Sequence, residues 1–270
     1  MAECLTPYSV RDKISNKLIP VPCGKCPDCI GKRLSGWSFR LQQEAKFSYS
    51  SYFITLTYDT EFIPICATGQ FTLDKTDLQK YFKRLRKAHE KRYHSSLAPI
   101  KYFAVGEYGT KNGRPHYHAL IFNAHIDDIE NSWRKKVTTS NKLDKYTAEQ
   151  LHPLQSDILS NTCVNLYPTP QPNFQLISQG IGISYLIQKN EKWHHDALTD
   201  RMYIPIEEGK KIAMPRYYKE KIYEKSQRKK IGVAMAEISA QSPELTELEK
   251  INTLNAKIKK LKKSRINERL

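Results

Sequence analysis

Two imidazoles separated by one residue, in the run Arg114-Pro115-His116-Tyr117-His118-Ala119-Leu120-Ile121-Phe122, have the types and spacing to do chemistry. Side chains alternate along a strand, so His116 and His118 share one face of an extended segment. Two imidazoles on a rigid face can hold a divalent ion once a neighbouring strand supplies a third ligand. Glu107 has the right position. It lies in Lys101-Tyr102-Phe103-Ala104-Val105-Gly106-Glu107-Tyr108, an aromatic and β-branched run that reads as a strand. Gly109-Thr110-Lys111-Asn112-Gly113 then supplies turn residues for an antiparallel hairpin that faces Glu107 toward the histidines. A carboxylate with two imidazoles suits a hard ion, Mg²⁺ or Mn²⁺, better than an all-thiolate cage would. The bland alternative is chance: among eight histidines, two at i, i+2 can also be surface polar or hydrogen-bonded core residues.

A second cluster is softer. Cys23, Cys26 and Cys29 follow a C-x-x-C-x-x-C spacing, and Gly24 and Pro27 help the chain fold back so that thiolates converge. Cys4 is the candidate fourth ligand of a tetrahedral structural Zn²⁺ site. An iron–sulfur cluster suits the same thiolates, and free cysteines in a loop are the plain alternative. Cys66 and Cys163 are isolated and read as packed thiols.

These residues need elements to hold them. Ser51-Tyr52-Phe53-Ile54-Thr55-Leu56-Thr57-Tyr58-Asp59 is another strand, by its alternation of aromatic, β-branched and Thr residues. A helix is expected to start with Asp74 or Thr76 as cap, with Leu78, Phe82, Leu85 and Ala88 on one face and Lys83, Arg84 and Arg86 free to meet phosphates. Residues 181–189 read as the start of a helix, entered through Gly180 and Gly182, in which Tyr185 and Lys189 stand one turn apart on a shared face.

The ordered set, a strand ending Thr55-Leu56-Thr57, then His116-Tyr117-His118, then Tyr185 with Lys189, resembles the HUH endonucleases. Within them it is similar to the rolling-circle replication initiators of microvirus-type single-stranded DNA phages, the gokushovirus-like group. Residues 53–57 look like the first motif, His116-Tyr117-His118 like the HUH motif, and Tyr185 like the nucleophilic tyrosine. Pro22-Cys23-Gly24-Lys25-Cys26-Pro27-Asp28-Cys29, the basic helix at 78–87 and Pro215-Arg216-Tyr217-Tyr218 also match, so the resemblance touches most of residues 4–220. Many microvirus initiators carry two tyrosines four residues apart, whereas Ile181 and Lys189 hold those places here, which implies a single nucleophile. The resemblance implies a metal-dependent DNA nickase with strand-transfer and ligase activity. Glu107, His116 and His118 would hold the ion, Tyr185 would attack, and Lys189 would favour its ionised form. It also implies an antiparallel sheet with the tyrosine helix beside the metal.

Composition agrees with such a partner. The 270 residues carry 44 Lys and Arg against 28 Asp and Glu, and a net charge of +16 suits a polyanion. DNA contacts are expected from Lys83, Arg84, Arg86, Arg114, Arg216, Tyr217 and Tyr218, the tyrosines by base stacking. No stretch approaches a membrane span and no signal segment opens the chain, so the expected place is the host cell cytoplasm. No phosphate-binding loop of the G-x-x-x-x-G-K-[ST] type is present, so unwinding is left to a host helicase, with a host polymerase extending the primer. Single-stranded DNA and replicative-form origin DNA are the expected substrates.

The fold expected is α+β: a central antiparallel sheet with the histidine strand in its middle, helices on one face and the metal on the open face. Residues 1–45 would form a Cys-rich segment, 46–200 the endonuclease domain and 201–270 a basic helical region. In that last region Ser242-Pro243-Glu244 reads as a helix start, followed by an apolar stripe through Leu248, Ile251, Leu254, Ile258 and Leu261 that suits docking, self-association or a partner. A non-catalytic, zinc-stabilised nucleic-acid-binding protein is the second reading, and it leaves Glu107, His116, His118 and Tyr185 without a purpose. A histidine phosphodiesterase without a covalent step would need a second His-x-His or His-x-Thr strand, which the sequence lacks.

Overall fold

The chain begins with a short antiparallel hairpin, β1 (Tyr8–Arg11) and β2 (Leu18–Val21), followed by helix α1 (Pro27–Phe47), which starts with proline at a position where a missing N–H costs nothing. The computed structural model describes all residues except 1–3, 5, 12–15, 17, 95–97, 111, 138–139, 144–145, 151–170, 207–208, 242–245, 247, 250, 257 and 260–270. Two compact units emerge, one formed by Arg40–Ser184 and the other by Met1–Phe39 together with Tyr185–Leu270. The division differs from the three consecutive segments expected from sequence. Residues from both flanks share one apolar cluster, in which Phe39 packs with Tyr185, Tyr218 and Ile231.

Within Arg40–Ser184 the core element is an antiparallel sheet. Its strands are β3 (Ser51–Thr57), β4 (Lys101–Tyr108), β5 (Pro115–Phe122), β8 (Tyr146–Gln150) and β9 (Phe174–Ile177), in the order β8-β3-β5-β4-β9. The hairpin β6 (Arg134–Val137) and β7 (Ser140–Leu143) stands apart from it. One face of the sheet presents Ile54, Leu56, Ala104, Tyr117, Ala119 and Ile121 to Leu78, Tyr81, Phe82 and Leu85 of helix α2 (Lys75–Tyr93). Asp74 caps α2, its side chain accepting from the Thr76 amide at 2.7 Å. Arg92 on the last turn of α2 forms a bidentate pair with Asp128 of α3 (Ile126–Ser132), at 2.9 and 2.8 Å.

The histidine face is not open along its whole length, in contrast to the expectation from sequence. Phe103, Leu120 and Phe122 point to that side and are buried. Lys101, on the same side, is held by Glu44 of α1 at 2.9 Å. Cover at that end follows from composition: large apolar residues alternate with the histidines, and burying them is favourable. His116 and His118 lie at the uncovered end, half-buried.

In the second unit, helices α4 (Gln188–His195), α5 (Arg216–Ile222) and α6 (Lys225–Gln241) and the hairpin β10 (Tyr203–Pro205) with β11 (Lys211–Ala213) surround a core of Phe39, Tyr185, Met202, Ile204, Tyr218, Ile222, Tyr223 and Ile231. The expected helix start at Ser242 lies outside the described residues. Thr246 and Glu249 form a reciprocal cap instead, the Glu249 amide donating to Thr246 Oγ1 at 3.3 Å and the Thr246 amide to Glu249 Oε2 at 2.9 Å. No described helix is long and apolar enough to cross a membrane.

Candidate active site

Register brings the triad together. In the β4–β5 hairpin Glu107 is paired directly with His116, and His118 stands two residues further along the same face. Glu107 Oε1 lies 3.3 Å from His116 Nε2 and 3.0 Å from His118 Nε2. The three candidate ligand atoms are all within 4.8 Å of one another. Each outer ring nitrogen is occupied. His116 Nδ1 donates to the Arg114 carbonyl at 3.2 Å, and His118 Nδ1 bonds Thr55 Oγ1 at 2.9 Å. Such partners fix the tautomer and leave Nε2 as the ligand atom. Phe53 stacks on His118 at 5.5 Å, so β3, which lies directly beside β5, sets the ring plane.

Burial raises the Glu107 pKa, but hydrogen bonds with His116 and His118 outweigh it and bring it down to about 2. Burial lowers the His116 pKa, yet the bonds to Glu107 and the Arg114 carbonyl more than compensate and raise it. The carboxylate's other oxygen, Glu107 Oε2, is buried and has no hydrogen-bond partner among the described residues. An ionised, half-satisfied carboxylate facing two neutral-capable imidazoles fits a divalent cation by its donor chemistry. Tyr117, between the histidines, has the opposite fate. Its hydroxyl is buried, donates to the Asp74 carbonyl at 2.9 Å, accepts from the Asp74 amide at 3.0 Å and meets Tyr58 at 2.8 Å.

Cys4, Cys23, Cys26 and Cys29 also converge, with their sulfurs within 4.8 Å of one another. Gly24 has φ +73°, a left-handed turn that folds the chain back over Cys23. The amides of Lys25 and Cys26 then donate to Cys23 Sγ at 3.4 and 3.2 Å. Thr6 Oγ1 donates to the same sulfur at 3.3 Å, and the three bonds together lower its pKa to about 6. Burial pushes Cys29 up to about 12. One sulfur is thus prepared as a thiolate, and the reluctance of another is what a dication would reverse.

Tyr185 occupies different surroundings from those read in the sequence. A 3₁₀ turn, Ile183–Tyr185, ends at the tyrosine, Ile187 is extended (φ −96°, ψ 152°), and α4 begins only at Gln188. Tyr185 and Lys189 therefore do not share one continuous helix. The break has local causes: Gly180 and Gly182 turn the chain at φ +71° and +73°, and the Tyr185 carbonyl is taken by Ile187 N at 2.9 Å and Asn190 Nδ2 at 2.8 Å. Lys189 is exposed. Tyr185 itself is 8% exposed, edge-on to Phe39 at 5.1 Å and tilted on Tyr218 at 5.0 Å. Its hydroxyl donates to His194 Nε2 at 2.9 Å, and burial lifts its pKa to about 12. Sequence reading passes over His194 because it lies outside any strand. Its one signal is a place two turns into the helix that follows the tyrosine.

The basic residues separate by exposure. Lys83 and Arg86 are exposed on α2, Arg86 above the Tyr102 ring at 5.2 Å. Arg84 is half-buried and donates to the Ser132 carbonyl at 2.8 Å. Arg114 donates to the Tyr58 carbonyl and, at 3.4 Å, to Thr60 Oγ1. Arg216 is exposed and pairs with Glu220 at 2.6 Å. Tyr217 is half-buried under Lys221, whereas Tyr218 is fully buried and offers no face to a base in this arrangement.

Residues 51–154 match a family of replication-associated proteins, the ORF2 group. The chain is 30% identical over 220 residues to replication-associated protein ORF2 of Spiroplasma virus 4, which covers 73% of this chain and 66% of that protein, just short of two thirds. It is 28% identical over 262 residues to replication-associated protein VP4 of Bdellovibrio phage phiMH2K, covering 90% and 80%. Replication-associated protein ORF4 of Chlamydia phage 1 is 34% identical over 103 residues, 38% of this chain and 24% of that one. No solved structure matches.

Proposed function

As this chain belongs to the replication-associated proteins of microviruses, we propose that it initiates rolling-circle replication by nicking origin DNA through Tyr185. The observation that carries the reading is the convergence of Glu107, His116 and His118 around a buried, half-satisfied carboxylate. A divalent ion held there, Mg²⁺ or Mn²⁺, would supply positive charge at the scissile phosphate. Thr55 and the Arg114 carbonyl hold the two imidazoles in the ligating tautomer. Attack by the Tyr185 oxygen leaves a 5′ phosphotyrosine and a free 3′ hydroxyl. The hydroxyl primes a host polymerase, a host helicase opens the duplex ahead of it, and the phosphotyrosine keeps the bond energy for rejoining the displaced strand. Lys83 and Arg86 are the exposed cations suited to phosphate contact.

The four cysteines hold a structural Zn²⁺ in this reading. Amide-to-sulfur bonds and a left-handed glycine at Cys23 support it, since they orient thiolates before any ion arrives.

The test is a denaturing gel. Protein incubated with single-stranded oligonucleotides spanning the replicon should give a covalent adduct with Mn²⁺ present and none with EDTA. Tyr185→Phe should bind the same DNA and give no adduct; an adduct on Tyr217 or Tyr218 by peptide mapping would refute Tyr185.

A further inference from the structure

A phenol buried as Tyr185 is does not ionise at neutral pH without a proton acceptor in contact with it, since burial alone holds its pKa near 12. His194 makes that contact. Its Nε2 is 2.9 Å from the Tyr185 hydroxyl, and its Nδ1 is 2.9 Å from the Arg201 carbonyl. A carbonyl only accepts, so Nδ1 carries the proton and Nε2 is left as the acceptor. Arg201 is itself fixed, donating to the Trp193 carbonyl at 2.8 Å with its guanidinium over the Trp193 ring at 4.8 Å. Nucleophile, base and orienting group thus form a hydrogen-bonded chain, the geometry that general-base activation requires.

We infer that His194 is the general base for Tyr185, held in the accepting tautomer by the Arg201 carbonyl. The inference rests on the reading of Tyr185 as nucleophile. The O–H bond of Tyr185 breaks as its proton passes to Nε2, the phenol oxygen bonds to phosphorus, and the bond from phosphorus to the 3′ oxygen breaks with its electron pair on that oxygen. The 3′ oxygen takes a proton from solvent and the imidazolium returns one, so the net reaction conserves charge. In rejoining, the 3′ hydroxyl attacks and the phenolate leaves, recovering its proton from His194. The pair is covered in the free protein, so the step follows engagement of DNA.

The groups facing His194 among the described residues are Tyr185, His195 on the same helix, Arg201 on the following turn and Tyr223 after α5. Burial, then His195 and Arg201, lower the His194 pKa despite the Arg201 carbonyl, which keeps the ring neutral and able to accept near pH 7.

The experiment measures the initial rate of adduct formation on a single-stranded origin oligonucleotide from pH 7 to pH 9, with Mn²⁺ saturating. Wild-type protein should give a nearly flat profile. A wild-type rate that climbs about tenfold per pH unit would overturn the proposal by itself, because the phenol would then be ionising without a base. His194→Gln keeps a hydrogen-bond acceptor but cannot take a proton. Its rate at pH 7 should fall about 10²- to 10⁴-fold and then climb with pH. If that variant melts early, His194→Ala with added imidazole replaces it, and recovery of adduct with imidazole concentration is the expected result. A wild-type rate in His194→Gln, or no imidazole rescue in a folded His194→Ala, would refute the base. Adduct formation by Tyr185→Phe would instead refute the nucleophile, so the two failures are distinguishable.

Discussion

Glu107, His116 and His118 make opposite demands on protons in the free and ion-bound forms. Without an ion, the raised His116 pKa means its stabilising bond to Glu107 is fully present below about 6.5, the free imidazole value, and is lost as pH rises through the higher folded value. Ion binding runs the other way, since a ligating imidazole must be neutral. Mn²⁺ affinity, measured by calorimetry, should therefore increase with pH through a midpoint above 6.5, and an affinity unchanged from about pH 6 to 8 would contradict the site. His118→Ala should abolish Mn²⁺ binding and DNA cleavage while leaving DNA affinity within a few-fold. A neighbouring residue tests the frame: a Cβ on Gly106 would sit 2.9 Å from Phe174 Cε1 and 3.2 Å from Leu73 Cδ2. Gly106→Ala should cost about 1–3 kcal/mol by overpacking, read from a denaturant midpoint. The triad was legible because a two-residue period and a glycine-rich turn are local signals. Tyr185's environment was not, since Phe39 and Tyr218 come from remote sequence.

At the level of elements, α2 was readable from its cap and apolar spacing, but the division of labour among its cations was not. Arg84 closes the gap to α3 through the Ser132 carbonyl, a contact set by tertiary packing. Arg84→Ala should therefore destabilise the fold by about 1–2 kcal/mol in thermal unfolding. Lys83→Ala should stay within about 0.5 kcal/mol. The reverse order is expected for DNA affinity, where the exposed charge counts. The cysteine knuckle predicts one tightly held zinc per chain by mass spectrometry of protein purified without added metal. Cys26→Ser should lose that zinc and loosen β1 and β2 to hydrogen exchange, because four ligands and the turn at Gly24 act together. Here the spacing revealed the ligands, while the amide-to-sulfur bonds that prepare Cys23 required coordinates.

For the whole molecule, a charge of +16 should make affinity for single-stranded DNA fall steeply with salt, with a slope set by the number of phosphates neutralised. Neutralising Lys83 and Arg86 together should flatten that slope by about 1–2. Trimming after residue 241 leaves every residue of the second core in place, whereas trimming before residue 225 removes Ile231, so only the second should collapse that unit. Sequence alone could not reveal that one unit draws on both flanks of the other. Contacts between residues near 39 and near 218 leave no periodic trace in either segment.

That interleaving has a consequence in time. Synthesis is vectorial and domains close as they emerge, so Arg40–Ser184 has all its cluster residues before the other unit does. The aromatic cluster around Tyr185 must wait until Ile231 has been added, 231 − 185 = 46 residues later. At roughly 5–20 residues per second this is a delay of about 2–9 s. On the ribosome, Glu107, His116 and His118 can thus close into their cluster while Tyr185 still has no seat, and the covered tyrosine belongs only to a nearly finished chain.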